Sequence, residues 1–498
     1  MYPQNRWLVL AIVSSALFLI VIDMTVLYTA LPRLTHDLAA SASEKLWIVN
    51  AYALVVAGLL PGMGALGDRL GHKPLFIAGL IVFGIASLAA AFSPAPLVLI
   101  GARALLAVGA AMMMPATLSI IRHTFEDERE RSLAIGIWAA VASGGAAFGP
   151  VVGGILLEFF WWGSVFLINV PIVIAALVLA ITIIPSRKGN ADSPWDMIGS
   201  VQIMIGLIGI AYAVKEISKR LPSYETAALA AAIGLVFIIL FVRRQRRSVA
   251  PLIDFALFRN RRFTSGVVAA LVASAAVVGL ELVFSQRLQL VAGLTPLQAG
   301  LFILPIPLAA FVAGPLAGLA VPRFGGERVM WISLLLSSAG IAAYLFTYQT
   351  GSLTQIAAFV ALGFGVGAAM TAASTSIMLN APEDRAGMAA SIEEVSFELG
   401  GAIGIAVLGS LMSAVYTASF IPPAGLTISD KARDGIDEAL LAAETLPAEA
   451  ASSLLHLANT AFDHAFVIVL IAASGALCAA AFAIAIAARR ESGGRREL

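Results

Sequence analysis

The sequence predicts an all-α polytopic membrane protein that crosses the bilayer fourteen times. Hydrophobic residues make up 60% of the 498 positions and charged residues 12%, about half the charged fraction of a soluble domain. The apolar residues fall into stretches of about 20 residues, the length that a helix needs to cross the hydrocarbon core. Lysine and arginine are concentrated in every second connection between these stretches, as in membrane proteins of fixed orientation.

Each of the fourteen apolar stretches is long enough to span a membrane. The first follows Arg6, is about twice as long as a signal-peptide core and lacks a small-residue cleavage site, so we predict an uncleaved span. The predicted spans are 7–31, 46–66, 74–92, 96–121, 133–157, 163–185, 196–214, 224–243, 263–285, 297–320, 328–348, 353–378, 386–414 and 462–488.

Basic residues set the predicted orientation. With the N-terminus inside, 22 Lys and Arg residues fall in inner segments and 8 in outer ones, while Arg103 lies within a span. This bias predicts a multi-pass protein with both termini cytoplasmic. The basic connection 244–262 is predicted to lie on an anionic inner leaflet, and the polar segment 415–461 to be an extracytoplasmic loop. For both, a plain solvated connector is the alternative.

A faint internal repeat divides the chain. The segment PGMGALGDRLGHK (61–73) resembles GPLAGLAVPRFGGER (314–328), with Gly64 and Gly318 aligned 254 residues apart. Parallel repeats of six helices are typical of one large class of transporters. We therefore predict a six-helix bundle at 1–185, two extra helices with cytoplasmic linkers at 186–262, and a second six-helix bundle at 263–498. The extra helices are predicted to lie outside the twelve-helix core, as a lipid-facing spacer.

The connection between spans 2 and 3 combines glycines with charges. Gly64, together with Gly67 and Gly71, is predicted to permit a tight reversal and a close approach of helix backbones. Asp68 is suited to cap a neighbouring helix or to pair with an arginine, while Arg69 and Lys73 satisfy the positive-inside bias. A plain charged turn is the alternative to a conformational gate.

Span 5 carries the glycine-rich segment GAAFGPVVGG. Gly145, Gly149 and Gly153 share one helix face and, with Gly154, predict a smooth packing surface. Pro150 removes one backbone hydrogen bond and is predicted to kink the helix.

These segments resemble motifs of the major facilitator superfamily. GALGDRLGHK (64–73) matches its signature loop, and GAAFGPVVGG (145–154) resembles its antiporter motif, which is found in exporters. IDMTVLYTALP (22–32), FLINVP (166–171) and SIEEVSFELGGAIGIA (391–406) resemble the fourteen-span drug:proton antiporters, in particular the disinfectant and methyl viologen efflux proteins of the SmvA and QacA type. The usual Trp-Arg-Trp before FLINVP is reduced here to Trp-Gly-Ser at 162–164.

The resemblance implies a proton-coupled multidrug efflux antiporter of the bacterial inner membrane, working by alternating access. Its substrates would be lipophilic cations such as quaternary ammonium compounds, biguanides and dyes. Export of a neutral or anionic amphiphile, or a transporter-like sensor without flux, is the alternative function. The expected partners are protons, cationic small molecules and lipid, without nucleic acid, and the family default is a monomer.

We predict that charged residues within the membrane spans carry out the exchange of proton and substrate. A lone charge in hydrocarbon costs a few kcal/mol or more, so an intramembrane charge indicates a functional site. We predict that Asp23 carries the proton and is tuned by Arg103, and that Glu398, with Glu394, holds the cation and takes part in proton coupling. Snorkelling of Arg103, acids nearer to the interface and a purely structural ion pair are the alternatives.

A mixed pocket of acids and aromatic rings is predicted to bind the substrate through charge and cation–π contacts. Glu281 is a candidate for this pocket, or alternatively a rim residue paired with Arg287. The predicted substrate-binding residues are Asp23, Glu281, Glu394, Glu398, Trp47, Tyr52, Trp138, Phe284 and Phe397.

Several other function classes are not supported by the sequence. It has no phosphate-cradling G-x-x-x-x-G-K-[S/T] segment, which an ATP-driven pump would need. Its one cysteine, Cys478, allows neither a disulfide framework nor a multi-cysteine metal site. We therefore expect no cofactor, no metal and no enzymatic activity.

Overall fold

The computed structural model describes residues 6–40, 42–187, 189, 196–217, 223–248, 251–348, 352–421, 433, 435–444 and 446–494. Within these residues the chain forms seventeen α-helices and no strands. The helices are α1 (Arg6–Asp37), α2 (Ala42–Leu70), α3 (His72–Ala91), α4 (Pro96–Thr124), α5 (Glu128–Phe159), α6 (Ser164–Leu167), α7 (Asn169–Ile183), α8 (Met197–Ile217), α9 (Tyr224–Gln245), α10 (Arg261–Gln286), α11 (Pro296–Ile303), α12 (Pro305–Phe324), α13 (Gly326–Thr347), α14 (Ser352–Leu379), α15 (Ala386–Ser419), α16 (Ile436–Ala443) and α17 (Ala448–Gly494).

The predicted number of membrane crossings is confirmed, since fourteen described segments are long and apolar enough to span a bilayer. Two predicted spans are interrupted. The span at 163–185 consists of α6 and α7, and the span at 297–320 consists of α11 and α12. Pro305 begins α12 and has no N–H to continue the hydrogen-bond ladder of α11, which accounts for the second break.

The segment 415–461 is more helical than predicted. Within it, α15 continues to Ser419, α16 covers Ile436–Ala443, and α17 starts at Ala448. Residues 422–432 of this segment lie outside the described part of the chain. The 47 residues of α17 span about 70 Å, which exceeds the roughly 30 Å thickness of the hydrocarbon core, so the helix must project beyond the bilayer.

Two hydrophobic cores organise the helices. One is formed largely by α1–α7, here called the N half, and the other by α10–α17, here called the C half. Most of the buried residues in both cores are aliphatic or alanine, which allows close helix packing in a membrane. The residue boundaries of the three predicted units stay a prediction.

The extra helices α8 and α9 pack on each other, and α8 also packs against the seam between the two halves. Ile203 and Leu207 of α8 lie against Ala65 of α2 and against Val395 of α15. Gly58 of α2 permits this approach, because a Cβ there would meet α8 side chains at 2.9 Å. The hairpin therefore contacts both halves.

The N half and the C half make close contacts at the end of the bundle where α2 ends and α15 begins, here called the Asp68 end. The core of the N half continues there into residues 386–392 of α15. The side chain of Arg122, near the end of α4, donates to the carbonyl of Ala381, which precedes α15. Close packing of α5 against α12 adds a second contact between the halves.

Candidate functional site

Asp23 lies on α1 inside the N half and is 2% exposed. Its carboxylate forms an ion pair with the guanidinium of Arg103 from α4, which is 1% exposed. The Nδ2 of Asn169, at the start of α7, also donates to Asp23 at 3.2 Å and lies 3.3 Å from the hydroxyl of Ser87 on α3. Four helices thus contribute to one buried polar cluster.

Arg103 has further contacts on its other side. Its guanidinium carbon lies 4.5 Å from the ring centroid of Tyr52 and 6.0 Å from that of Phe166, both distances suitable for cation–π attraction. Its Nε donates to the carbonyl of Ile48 at 3.4 Å. Arg103 therefore keeps an aromatic and a carbonyl contact in addition to Asp23.

A buried ion pair of this kind responds strongly to a change in either partner. Arginine cannot lose its proton, so only the Asp23 side can be neutralised, by a proton or by a competing cation. Removing one partner of a buried pair costs roughly 3–5 kcal/mol, because the other charge is left uncompensated. The intact pair therefore joins α1 to α4 inside the N half.

A second set of carboxylates lies on α15. Glu393 and Glu394 are 0% and 4% exposed, and Glu398 is half-buried. The hydroxyl of Ser374 on α14 donates to Glu393. The Glu398 carboxyl group interacts electrostatically with the Glu394 carboxyl group on its own helix and with the Tyr52 phenol of the N half.

Glu281 is placed differently. Its side chain is exposed on α10 and has no ion-pair partner among the described residues. The alternative pairing with Arg287 is wrong, because Arg287 donates to Asp463 of α17 at 2.9 Å and lies over the ring of Tyr348. Its predicted role in substrate binding stays a prediction.

Of the predicted aromatic residues, Tyr52 alone has a described contact with the Asp23–Arg103 pair. Trp47 is 41% exposed at the start of α2 and stacks on Tyr212 of α8, with centroids 6.0 Å apart. The indole of Trp138 is buried and donates to the hydroxyl of Thr117 at 3.1 Å. Phe397 of α15 is half-buried against the core of the C half.

Phe284 lies in the interior of the C half and is 1% exposed. Its ring makes edge contacts with Tyr344, Phe359 and Phe466 at centroid distances of 5.0–5.9 Å. Such a cluster stabilises helix packing and leaves no open face on Phe284 in this conformation.

The predicted reversal at 64–73 has a different structure from the one expected. Gly64 and Gly67 lie within α2, which continues to Leu70, and the turn consists of Gly71 alone. Gly71 has φ +96°, a conformation that glycine adopts without strain. The Lys73 ammonium donates to the carbonyls of Ile181 and Ile184, at 2.8 and 2.6 Å, and so caps the end of α7.

Asp68 caps a helix across the seam. Its carboxylate accepts hydrogen bonds from the N–H groups of Gly387 and Met388, at 2.8 and 3.0 Å, in the first turn of α15. His72 approaches the same carboxylate at 3.3 Å. The positive end of the α15 dipole and the two donors stabilise a negative charge at this point. Arg69, one position further along α2, has no ion-pair partner among the described residues.

Gly64 allows α2 and α15 to come together beside Asp68. A Cβ built at Gly64 would lie 2.9 Å from the carbonyl carbon of Gly387 and would overlap the Ser391 hydroxyl. Only glycine fits this contact, so the signature segment joins the N half to the C half in this conformation.

The internal repeat in the sequence has a counterpart in the glycine contacts between the two halves. Gly318 of α12 packs on the start of α5, where a Cβ would lie 3.1 Å from the Ser132 carbonyl carbon. Each half therefore places its repeat glycine on the first turns of a helix from the other half. The C half has Pro322 at the position corresponding to Asp68, and the start of α5 is capped by its own Asp127 instead.

Part of the glycine face of α5 packs on α1. A Cβ at Gly145 would meet Val21 at 3.1 Å, and one at Gly149 would meet the Cβ of Thr25 at 2.7 Å. Because Thr25 lies two residues after Asp23, this face supports the helix that carries the buried carboxylate.

The remaining residues of the antiporter-like segment lie beyond this contact. Gly153 is buried, whereas a Cβ at Gly154 would meet nothing within 4 Å. Both lie within α5, as does Pro150, whose side chain lies outside the described part of the structure.

Sequence reasoning missed three polar residues of these clusters. Asn169 is part of the FLINVP segment, so an uncharged amide within a membrane motif was the available signal. Ser87 gave no signal, because a serine in a membrane helix usually bonds to its own backbone. Glu393 was not among the predicted site residues, although it is the sequence neighbour of Glu394 and the more deeply buried of the two.

Comparison with known proteins identifies the family. The model of the Major Facilitator Superfamily matches residues 13–405, which is more than half of the chain. The chain belongs to the major facilitator superfamily. This membership confirms the predicted fold, and it is consistent with a transporter rather than an enzyme.

Several exporters are similar over nearly the whole length. The chain is 42% identical to the methyl viologen resistance protein SmvA of Salmonella typhimurium, covering 92% of this chain and 93% of that protein. It is 40% identical to the multidrug efflux pump LfrA of Mycolicibacterium smegmatis, covering 98% and 97%. The tetracenomycin C resistance and export protein of Streptomyces glaucescens is 30% identical, covering 97% and 92%.

Two solved structures share the fold at low sequence identity. The human organic anion transporter MFSD10 superposes with a TM-score of 0.61 at 13% identity, covering 97% of this chain and 100% of that one. The proton:xylose symporter XylE superposes with a TM-score of 0.58 at 13% identity, covering 94% and 96%.

Proposed function

We propose that this superfamily member is a proton-coupled multidrug efflux antiporter that exports lipophilic cations across the bacterial inner membrane. The observation that carries the proposal is the buried Asp23–Arg103 pair, in which one carboxylate is the only group able to change its charge. Proton and cationic substrate compete for the same negative site, and this competition couples their opposite movements. Small-molecule efflux is also the activity that the names of SmvA and LfrA describe.

The coupling acts through the Asp23 cluster. A proton on Asp23 releases Arg103 toward Tyr52, and departure of that proton restores the pair. Movement of α1 reaches the other half because Thr25 packs on Gly149 of α5, and α5 packs on α12. The six-helix units at 1–185 and 263–498 would then rock against each other as the site changes its access.

The substrate class follows from charge. Glu394 and Glu398 place two carboxyl groups on α15 of the C half, and Glu398 interacts electrostatically with Tyr52, whose ring also contacts Arg103. A cation with apolar or aromatic parts would be attracted to these carboxylates and would tolerate the surrounding membrane helices. Methyl viologen, named for the relative SmvA, is a dication of this kind.

The orientation of the chain in the membrane is part of the proposed function. The positive-inside bias of the connections supports a cytoplasmic location for the Asp68 end and for both termini. The closed contact between Gly64 and α15 would then make the present conformation an outward-facing one. A single copy of the chain contains all the groups of the proposed mechanism, which is compatible with a monomer.

The central test replaces Asp23 with asparagine, which keeps the size but removes the charge. Purified wild type, D23N and the control D37N are reconstituted into proteoliposomes, and uptake of methyl viologen is followed with and without a pH gradient. Asp37 is exposed at the end of the same helix, so its replacement should leave transport unchanged. We expect D23N to lose pH-driven transport while remaining folded.

The result discriminates between the alternatives. Undiminished pH-driven transport by D23N would refute the assigned proton site. Transport of a neutral dye in preference to methyl viologen by the wild type would favour an exporter of uncharged amphiphiles. Binding of methyl viologen without any flux would favour a sensor.

A further inference from the structure

A second candidate site lies at the Asp68 end, outside the Asp23 cluster. A cavity of about 950 Å³ opens between the ends of α12, α14 and α17 and the starts of α5, α10 and α13. We refer to it as the arginine groove, because its wall includes Arg131, Arg262, Arg328 and Arg489. Glu128 and Glu327 are the acidic residues in the wall, so the groove keeps an excess of positive charge.

Two of these arginines are not neutralised within the protein. Arg131 on α5 and Arg328 on α13 have neither an ion pair nor a side-chain hydrogen bond with any described residue. The Nε of Arg131 is also buried without a hydrogen-bond partner, which is costly unless a ligand or water supplies one. Both side chains are thus suited to an anion.

The start of α13 adds further donors. The helix begins after Gly325, which has φ +86° and provides no side-chain cap. The N-cap position therefore supplies no acceptor to the first N–H groups of α13, and the positive end of the helix dipole reinforces the arginines. Gly325 and Gly326 both line the groove, so an anion can approach this backbone closely.

The same wall continues as an apolar surface toward the bilayer. Leu335 on α13 and Phe482 on α17 each lie seven residues from an arginine, Arg328 and Arg489, or about 10 Å along the helix. Phe482 is 57% exposed. A free phosphate would use only the cationic rim, whereas a phospholipid would use the rim for its headgroup and the apolar strip for an acyl chain.

We propose that the arginine groove binds an anionic phospholipid, with its phosphate between Arg131 and Arg328 and an acyl chain along α13 and α17. Basic pockets between membrane helices recognise such headgroups by charge. Arg131 belongs to the N half and Arg328 to the C half. The bound lipid therefore bridges the two halves and favours the conformation in which the Asp68 end is closed.

Binding is tested on purified full-length protein by titration with dioleoyl phosphatidylglycerol in detergent, followed by native mass spectrometry. R131Q and R328Q remove one groove charge each. R323Q is the matched control, since Arg323 is exposed near the same helix end and lies over Phe324 rather than in the groove wall. We expect R131Q and R328Q each to weaken binding about fivefold, equivalent to about 1 kcal/mol, and R323Q to bind as the wild type does.

Two further measurements identify the ligand class without relying on those variants. Phosphatidylglycerol binding to the wild type should weaken with added salt, and R328K should retain it, because both results follow from a charge contact. Equal binding of dioleoyl phosphatidylcholine would overturn the proposal by showing an apolar contact only. Complete competition by inorganic phosphate or glycerol 1-phosphate would also overturn it and would identify a site for free phosphate.

Discussion

Replacing Gly64 with alanine would place a methyl group inside the contact between α2 and α15. The new Cβ would lie 2.9 Å from the carbonyl carbon of Gly387 and closer still to the Gly387 oxygen and the Ser391 hydroxyl. The hydroxyl can rotate away, but the backbone of α15 cannot. We therefore expect G64A to oppose closure of the Asp68 end.

The size of the effect follows from this geometry. Carbon atoms pack at about 3.5–4.0 Å, so the two helices must separate by roughly 0.6–1.1 Å to accept the methyl group. Overpacking of this kind costs about 1–3 kcal/mol. If the cost falls only on the closed conformation, the ratio of open to closed molecules at this end rises roughly 5- to 150-fold.

Accessibility of a buried cysteine measures this ratio. Cys478 is the single cysteine, so C478S provides a background for S132C, a position on α5 that is 0% exposed at the Asp68 end. We expect N-ethylmaleimide to react with the cysteine of S132C roughly 5- to 150-fold faster when G64A is present than in the same C478S/S132C protein with Gly64 intact, as the population ratio requires.

The matched control is G101A, because a Cβ at Gly101 meets nothing within 4 Å and the helix-propensity gain is the same. An equal labelling rate in G64A and G101A would refute the argument that Gly64 is required for closure. Retention of the folded protein is checked by size-exclusion chromatography of each variant.

Three other changes test separate contacts. G318A should open the same end to a similar extent, since its Cβ would meet the start of α5. D68N should raise the labelling rate about 10- to 150-fold, because hydrogen bonds to a charged group contribute about 1.5–3 kcal/mol. D196N should lower the thermal midpoint of unfolding. Burial raises the pKa of Asp196, but the hydrogen bonds from Arg244, Gly199 and Gln245 outweigh this effect, so that the pKa in the folded protein lies below its usual value. That stabilisation is present above an unfolded pKa of about 3.9 and is lost as the pH falls through the lower folded pKa.

Each of these predictions has an outcome that contradicts it. Normal labelling in G318A would show that the repeat glycine of the C half is dispensable. Normal labelling in D68N would show that an uncharged cap is sufficient for α15. For D196N, a difference from the wild type that persists at pH 2 would show that the carboxylate charge is not its cause.

Several features were predictable from the sequence because they depend on local composition. A helix in hydrocarbon must satisfy its own backbone, so apolar stretches of about 20 residues fix the number of crossings without reference to neighbours. The cost of an intramembrane charge likewise singled out Asp23 and Arg103, since each needs a partner at similar depth. Because Asp23 and Arg103 lie on two different spans, each was the natural candidate for the ion-pair partner of the other.

The partners across the seam depended on the tertiary structure. In the sequence, Asp68 was equally suited to a charged turn, an arginine pair or a helix cap, because its partner lies more than 300 residues away at Gly387. The predicted position of the turn was wrong, since helix propensity does not reveal that α2 continues through Gly64 and Gly67 to Leu70. Glu393 was overlooked for the same reason, as helical spacing shows which face a residue lies on but not what covers that face.

The sequence by itself determined a fourteen-span helical transporter with a charged group that has to be paired inside the membrane. Only the tertiary structure decided that Arg103 and Asn169 meet Asp23, that α8 lies on the seam, and that arginines of both halves converge in one groove. The physical reason is that desolvation and hydrophobic length act on each helix separately. Pairing, capping and close glycine contacts, in contrast, act between helices whose relative positions are set by the packing of the whole chain.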